Sequence, residues 1–221
     1  MSKSILKNGE TPHDYRIKFL NPELKLLEQI KPLRILEVFS GSGDNLCFLS
    51  EKGFNVVGVE SKDKYIEKSR TLISNNDLNI KVNKVDVFKK GLPFDKDKFD
   101  FVYSYQYINH NFKNKIEYVF KEIFRVLNHK GVFSLKISDA DQFNFKHVKD
   151  DLYEELDPEF GTMKYRKLAE QTFAKLSGDE KDIPHYGFTK DELLKTLTDS
   201  GFEIINIRVI KWNFVVNCTK S

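Results

Sequence analysis

Short apolar runs alternate with longer, charged stretches along most of this chain. Seven runs rich in β-branched and aromatic residues predict strands. They cover residues 35–38, 54–59, 78–85, 98–104, 132–137, 202–210 and 211–219. Between them, apolar residues at helical spacing predict helices, most clearly over residues 113–127. This alternation is typical of an α/β domain with largely parallel strands. The last two strands lie too close together for a crossover helix, which predicts an antiparallel hairpin.

Residues 34–60 have the pattern of a strand, a glycine turn, a helix and a second strand. Gly41 and Gly43 follow the first strand and allow the backbone to approach a ligand closely. Glu60 ends the second strand, 17 residues after Gly43, where a carboxylate can accept hydrogen bonds from a ribose diol. Leu46 stands where a dinucleotide site would have its third glycine. A nucleoside cofactor without a pyrophosphate, such as S-adenosylmethionine (SAM), therefore fits better.

Glu37, an acid inside the first predicted strand, forms a motif together with the glycine turn. The run Glu37-Val38-Phe39-Ser40-Gly41-Ser42-Gly43 resembles the first motif of the class I SAM-dependent methyltransferases, which more often have glycine or a small residue where Phe39 and Ser40 stand. The resemblance covers roughly residues 33–138 and 186–219. It implies an α/β fold with a doubly wound, mostly parallel seven-stranded sheet, helices on both faces and a terminal antiparallel hairpin strand.

The same resemblance implies which residues bind SAM. Asp86, after the third strand, would accept from the adenine amino group while the backbone of Val87 faces the ring, although Asp86 also suits an ordinary turn. Ser104 and Tyr105 end the fourth strand, at the edge where open α/β sheets bind ligands. The full set of expected cofactor-binding residues is Glu37, Phe39, Ser40, Gly41, Gly43, Glu60, Ser61, Asp86, Val87, Ser104 and Tyr105.

Residues 139–185 interrupt the alternating pattern with a long, charged segment dotted with aromatics. Connections of this length inside a domain usually carry function, and helices are predicted at about 146–156 and 163–177. We expect one methyltransferase domain over residues 1–221. Its expected parts are an N-terminal helical segment (1–32), a cofactor-binding half (33–138), a helical lid or substrate cap (139–185) and a C-terminal helix and hairpin (186–221). Extra packed helices without a lid role are the alternative for 139–185.

Methyl transfer from a sulfonium mainly requires positioning, because the electrophile arrives activated. A protonated oxygen or nitrogen acceptor also needs a base within reach. His110, just after the fourth strand, and His185, at the end of the inserted segment, are the candidates; a structural role is the alternative for each. The expected function is SAM-dependent methyl transfer to an oxygen or nitrogen of a small molecule. The alternative is a methyltransferase-fold protein that acts on, or only binds, RNA or protein.

The sequence lacks residues that several other methyl-transfer and redox reactions require. Residues 104–107 do not carry the acid or asparagine and the two prolines of enzymes that methylate nucleobase amino groups. Cys47 and Cys218 lie away from the edge where carbon-methylating RNA enzymes keep a nucleophile. No acid ends the fourth strand, so no metal site is predicted, and Leu46 makes a nicotinamide reductase the weakest alternative.

Composition and net charge narrow the class of protein further. The chain has 221 residues, of which 31% are charged and 13% aromatic, and these values favour a folded domain over disorder. The net charge of +3 is too balanced to indicate nucleic-acid binding. No secretory signal or membrane-length apolar run is visible. We therefore expect a cytoplasmic protein with a small-molecule partner and no membrane partner; the sequence does not predict an oligomeric state.

Overall fold

The computed structural model describes residues 24–105, 107–140, 152–157, 161–178, 180–210 and 213–221. Residues 24–30 form a helix, α1; the rest of the expected N-terminal segment before it lies outside the described residues. The later helices are α2 (Asp44–Glu51), α3 (Asp63–Asn75), α4 (Val87–Lys90), α5 (Lys113–Val126) and α6 (Lys190–Asp199). The strands are β1 (Ile35–Val38), β2 (Val56–Glu60), β3 (Lys81–Lys84), β4 (Phe99–Tyr105), β5 (Leu127–Ser138), β6 (Leu152–Asp157), β7 (Gly161–Ala169), β8 (Thr172–Lys175), β9 (Pro184–Tyr186), β10 (Phe202–Ile210) and β11 (Asn213–Lys220).

Seven strands form the main sheet, in the order β10-β11-β5-β4-β1-β2-β3. Strands β3, β2, β1, β4 and β5 are parallel to one another, whereas β11 is antiparallel to both β5 and β10. The chain order reverses between β1 and β4, and such a switch point is where open α/β sheets bind ligands. The predicted doubly wound, mostly parallel seven-stranded sheet with a terminal antiparallel hairpin is confirmed.

Helices cover both faces of this sheet, as predicted. On one face, Leu27 of α1 and Leu46 of α2 pack with Ile35 of β1. On the other face, Phe120 of α5 and Leu193 of α6 belong to the larger apolar core. Burying side chains of this size stabilises the fold by roughly 1.5–3 kcal/mol each. None of the helices that the structure describes is long and apolar enough to cross a membrane.

The inserted segment forms a second sheet, so the prediction of a helical lid is wrong in its secondary structure. Strands β6, β7, β8 and β9 pair antiparallel in that order. They replace the helix predicted at about 163–177 and the described end of the helix predicted at about 146–156. In β7, Tyr165 is buried while Lys164 and Arg166 are exposed, which is the two-residue period of a strand.

Both described ends of the insertion contact the main sheet at its carboxyl edge. Ala140 donates its amide to the carbonyl of Phe188 (2.8 Å), so the two ends of the insertion pair beside the end of β5. The amide of Tyr186 donates to the carbonyl of Asn109, in the loop after β4 (2.8 Å). After the insertion, Thr189 caps α6 through its hydroxyl, which accepts from the amide of Glu192 (3.3 Å).

Candidate active site

The turn after β1 has an unusual backbone. Phe39, Gly41 and Gly43 have positive φ angles of 63°, 55° and 82°. These angles aim the amides of the turn at acceptors inside the protein: Ser40 donates to the carbonyl of Val59 (3.0 Å) and Gly43 to the carbonyl of Ser40 (3.0 Å). Gly43 is the N-cap of α2, and a Cβ built on it would lie 2.9 Å from the Cβ of Ser69 in α3. The turn is therefore held tightly against α3.

Glu60 is the anchor of this turn. Its carboxylate is only 3% exposed. Oε2 accepts from the amide of Gly41 (2.9 Å), and Oε1 accepts from the amides of Ser61 (2.7 Å) and Lys62 (3.0 Å). A carboxylate has about four acceptor positions, so these bonds leave one free on Oε2. The predicted acceptor for a ribose can thus take one hydroxyl without giving up a backbone bond.

Glu37 lies beneath the same turn and is also buried. Its Oε1 accepts from the side-chain amide of Asn45 in α2 (2.8 Å). Burial, together with the Glu37 carboxylate, raises the pKa of the neighbouring Tyr103 well above its ordinary value. Asn45, the second residue of α2, was not predicted as part of the site.

The end of β3 is more open. Asp86 is the N-cap residue of α4, and its carboxylate lies 3.1 Å from the ammonium of Lys89. About one third of the Asp86 side chain is exposed, so it has room for a further hydrogen bond. The side chain of Val87 is buried in the larger core, so only its backbone is available at this edge.

The end of β4 carries an unpaired polar atom. Ser104 is fully buried, and its hydroxyl has no hydrogen-bond partner among the described residues. Tyr105 bonds through its hydroxyl to that of Ser134 in β5 (2.9 Å). A buried hydroxyl without a partner costs free energy, and a polar ligand at this edge would offset that cost.

Aromatic rings line the space between the turn and the loop after β4. The ring of Phe39 stacks on Phe88 (4.9 Å between centroids) and contacts Tyr107 (5.4 Å). The ammonium of Lys62 lies 5.0 Å from the centroid of Tyr107. The face of an aromatic ring attracts cations, and the ammonium of Lys62 takes this position on Tyr107 in the structure. Phe39, the main departure from the motif, is therefore one of the residues that form this lining.

The two predicted bases lie together. The rings of His110 and His185 are 4.2 Å apart, and Tyr107 contacts His110 (4.4 Å). Burial holds the pKa of His110 well below its ordinary value. Burial also lowers the pKa of His185 to about 4, an effect that the carboxylate of Glu180 opposes and the ammonium of Lys175 supports. Both imidazoles are therefore neutral near pH 7, which leaves a nitrogen lone pair unprotonated on each but makes each a weaker base than an exposed histidine.

The second sheet supplies half of this cluster. His185 lies on β9, and Glu180 lies in the turn before it. Glu180 is within 3.9 Å of a ring nitrogen of each histidine and accepts from the ammonium of Lys175 (2.5 Å). Glu180 was not predicted, because it stands in an ordinary polar turn and no local pattern distinguishes it.

The cysteines are poor nucleophiles. Burial, with nearby acids, raises the pKa of Cys47 to about 11. Burial alone raises that of Cys218, which lies in β11.

A sequence profile described as a methyltransferase domain matches residues 35–131, which run from β1 into β5. This span contains the glycine turn, Glu60 and Asp86, and its strands belong to the mostly parallel seven-stranded sheet that the resemblance implied. Over these residues the chain is similar to the class I SAM-dependent methyltransferase family. The cofactor of this family is SAM, and the buried hydroxyl of Ser104 and the free acceptor position on Glu60 fit such a group.

Individual proteins are similar to this chain in sequence or in fold. A sterol 24-C-methyltransferase from Pneumocystis carinii is 27% identical over 173 residues, which cover 78% of this chain and 40% of that protein. The chain thus spans less than half the length of this curated relative. A solved structure from Pyrococcus horikoshii superimposes with a TM-score of 0.74 at 21% identity and covers 100% of this chain and 97% of its own. A 1,6-didemethyltoxoflavin-N1-methyltransferase from Burkholderia thailandensis, with S-adenosylhomocysteine bound, gives a TM-score of 0.63 at 15% identity, covering 95% and 83%.

Proposed function

We propose that this protein transfers a methyl group from SAM to an oxygen or nitrogen atom of a small-molecule acceptor. The observation that carries the proposal is the pair of buried, neutral histidines at the same sheet edge as the glycine turn. His110 comes from the loop after β4 and His185 from the inserted sheet. A general base must lie within hydrogen-bond reach of the proton it takes, and either imidazole can serve an acceptor between the two sheets.

The turn and strand ends would hold the cofactor. Glu60 would accept a ribose hydroxyl at Oε2, and Asp86 would accept from the adenine amino group. Ser104, whose buried hydroxyl has no partner among the described residues, would bond a polar group of the methionine part, and the ring of Tyr107 would face the positive charge. When bound, SAM supplies an activated methyl group for in-line displacement.

Two features support a small acceptor over a macromolecule. The inserted sheet joins the domain beside the histidines, where Tyr186 bonds to the backbone of Asn109, and so narrows the space at this edge. The proteins named above include enzymes whose names specify a sterol and a toxoflavin precursor as acceptors. We infer a lid role for the inserted sheet on the same grounds.

Calorimetric titration tests the cofactor. We expect SAM and S-adenosylhomocysteine to bind and NAD to show no binding. Glu60→Gln should weaken adenosyl binding by about 10- to 100-fold, since a hydrogen bond to a charged group contributes about 1.5–3 kcal/mol. Glu67→Gln, an exposed change in α3, is the matched control. A folded protein that binds neither adenosyl ligand would refute the enzyme and favour a binding role.

Transfer of a labelled methyl group to a panel of phenols, amines and carboxylic acids tests the base. His110→Asn and His185→Asn should each lower turnover without changing cofactor affinity. His129→Asn, at an exposed position in β5, should leave turnover unchanged. Equal turnover in all three variants would remove the histidines from the mechanism while leaving the cofactor assignment intact.

A further inference from the structure

The side chains of His110, His185 and Glu180 face one another without hydrogen bonds between them. Nε2 of His110 lies 3.9 Å from Oε1 of Glu180, and Nε2 of His185 lies 3.9 Å from Oε2. Hydrogen bonds between such atoms are about 2.7–3.2 Å long, so neither contact is one. Nδ1 of His110 and Nε2 of His185 are buried and have no partner among the described residues. Of these two atoms, Nε2 of His185 is the one that also faces Glu180, and because buried polar atoms rarely stay unpaired, it indicates a ligand beside it.

We propose that His110, His185 and Glu180 bind a divalent transition-metal ion of the zinc type. Two imidazoles and one carboxylate form a known zinc ligand set with an open fourth position. One ligand atom from each residue lies within 4.8 Å of the others. A tetrahedral ion at about 2.0–2.1 Å holds its ligand atoms about 3.3 Å apart. The two contacts of 3.9 Å would therefore need to shorten by about 0.6 Å, and the widest separation of 4.8 Å by about 1.5 Å.

The ligands come from two parts of the chain. His110 lies in a turn of the main domain, where its amide donates to the carbonyl of Tyr107 (3.0 Å). Glu180 and His185 come from the inserted sheet. A bound ion would therefore join the insertion to the methyltransferase domain at the proposed acceptor site. No metal was predicted from the sequence, because no acid ends the fourth strand, and Glu180 and His185 approach His110 only through the pairing of the inserted sheet.

Lys175 allows the metal proposal to be tested by the direction in which a substitution changes metal affinity. Its ammonium donates to Oε2 of Glu180 (2.5 Å), which leaves Oε1 facing His110. The ammonium also repels a cation and so weakens binding. Removing the charge with Lys175→Met should strengthen metal binding, whereas loss of any ligand should weaken it. A bridging water would not respond to these variants in opposite directions.

Metal binding and general-base catalysis would compete for the same imidazole nitrogens. An imidazole nitrogen that binds a metal cannot accept a proton, so the loaded protein would be one in which that base is blocked. Metal binding is measured without cofactor or acceptor. It can therefore fail while methyl transfer stands, and the reverse also holds.

Full-length protein stripped with a chelator and titrated with Zn²⁺ and Co²⁺ tests the site. We expect one equivalent to bind, with Co²⁺ giving the intense visible absorption of tetrahedral coordination. Glu180→Gln and His185→Asn should each weaken binding at least 10-fold, Lys175→Met should strengthen it several-fold, and His129→Asn should change nothing. Circular dichroism confirms that each variant is folded. Binding that is unaffected by Glu180→Gln, or weakened by Lys175→Met, would overturn the proposal, as would the lack of a tetrahedral Co²⁺ spectrum in the unmodified protein.

Discussion

The glycine turn makes a quantitative prediction at Gly43. The residue has a φ of 82°, and an added Cβ would lie 2.9 Å from the Cβ of Ser69. Two costs therefore apply to Gly43→Ala. A left-handed backbone costs an L-residue about 1–2 kcal/mol, and an overlap inside packed structure costs about 1–3 kcal/mol. We expect Gly43→Ala to lower the free energy of unfolding by about 2–5 kcal/mol.

Gly53 separates the two costs. It has a similar φ of 86°, but a Cβ built there meets nothing within 4 Å. Gly53→Ala should therefore show only the backbone cost of about 1–2 kcal/mol. Both variants are measured by chemical denaturation followed by circular dichroism. If Gly43→Ala costs no more than Gly53→Ala, the contact with Ser69 does not limit the turn.

A double-mutant cycle tests the contact directly. Ser69→Gly removes the opposing Cβ, so it should relieve the overlap in Gly43→Ala but not the backbone strain. We expect a coupling free energy of about 1–3 kcal/mol, measured as the difference between the double variant and the sum of the single variants. A coupling below about 0.5 kcal/mol would be ordinary additivity and would refute the steric argument. Because the same turn bonds to Glu60, Gly43→Ala should also weaken S-adenosylhomocysteine binding.

Three further predictions concern titratable side chains that are buried or half-buried. Glu60→Ala should destabilise the fold by about 3–5 kcal/mol, since it leaves three backbone amides without their acceptor; denaturation measures this loss. Because burial holds the pKa of His185 at about 4 against 6.5, the unfolded chain takes up this proton first as the pH falls. In chelator, stability should thus be retained above about pH 6.5 and fall by about 2 kcal/mol near pH 5. Glu192→Gln should cost about 1–2 kcal/mol and speed proteolysis of the inserted sheet, because Glu192 accepts from Lys113 (2.6 Å) and Tyr186 (2.5 Å).

Each of these has its own control. Glu60→Gln keeps one acceptor oxygen and should cost less than Glu60→Ala; equal costs would contradict the bonding scheme. His185→Asn should show a smaller loss of stability in acid than the unmodified protein, and an unchanged pH profile would exclude His185 as the source. Asp199→Asn breaks an exposed pair with Lys195 and should cost under about 1 kcal/mol, so a similar loss from Glu192→Gln would argue against a special role for that carboxylate.

The cofactor half was predictable because its signals are local. Glu37, Gly41, Gly43 and Glu60 fall within one strand-turn-helix-strand unit. The contact that joins the unit, from the amide of Gly41 to Glu60, connects the ends of neighbouring parallel strands. Hydrophobic periodicity fixes those strands, and their pairing then fixes the turn. The same alternation of strands and helices predicted a largely parallel sheet, and the short last connection predicted its antiparallel hairpin.

The inserted segment was mispredicted because residue propensity and burial disagree there. Lys164, Arg166 and Lys167 are good helix formers, and the segment is too charged to show an apolar strand pattern. The strand forms because Tyr165 and Phe173 are buried in a sheet whose partners are themselves inside the insertion. Such tertiary context overrides a propensity difference of under about 1 kcal/mol per residue.

The histidine cluster depends on that same insertion. His110 and His185 are 75 residues apart in the chain (185 − 110), and only the docking of the second sheet brings their rings to 4.2 Å. The proposed cofactor residues precede the insertion in the chain, whereas Glu180 and His185 lie within it. A change in the inserted sheet can therefore alter acceptor or metal binding without disturbing the contacts of Glu60. This separation explains why the motif predicts the cofactor and leaves the acceptor to be found by experiment.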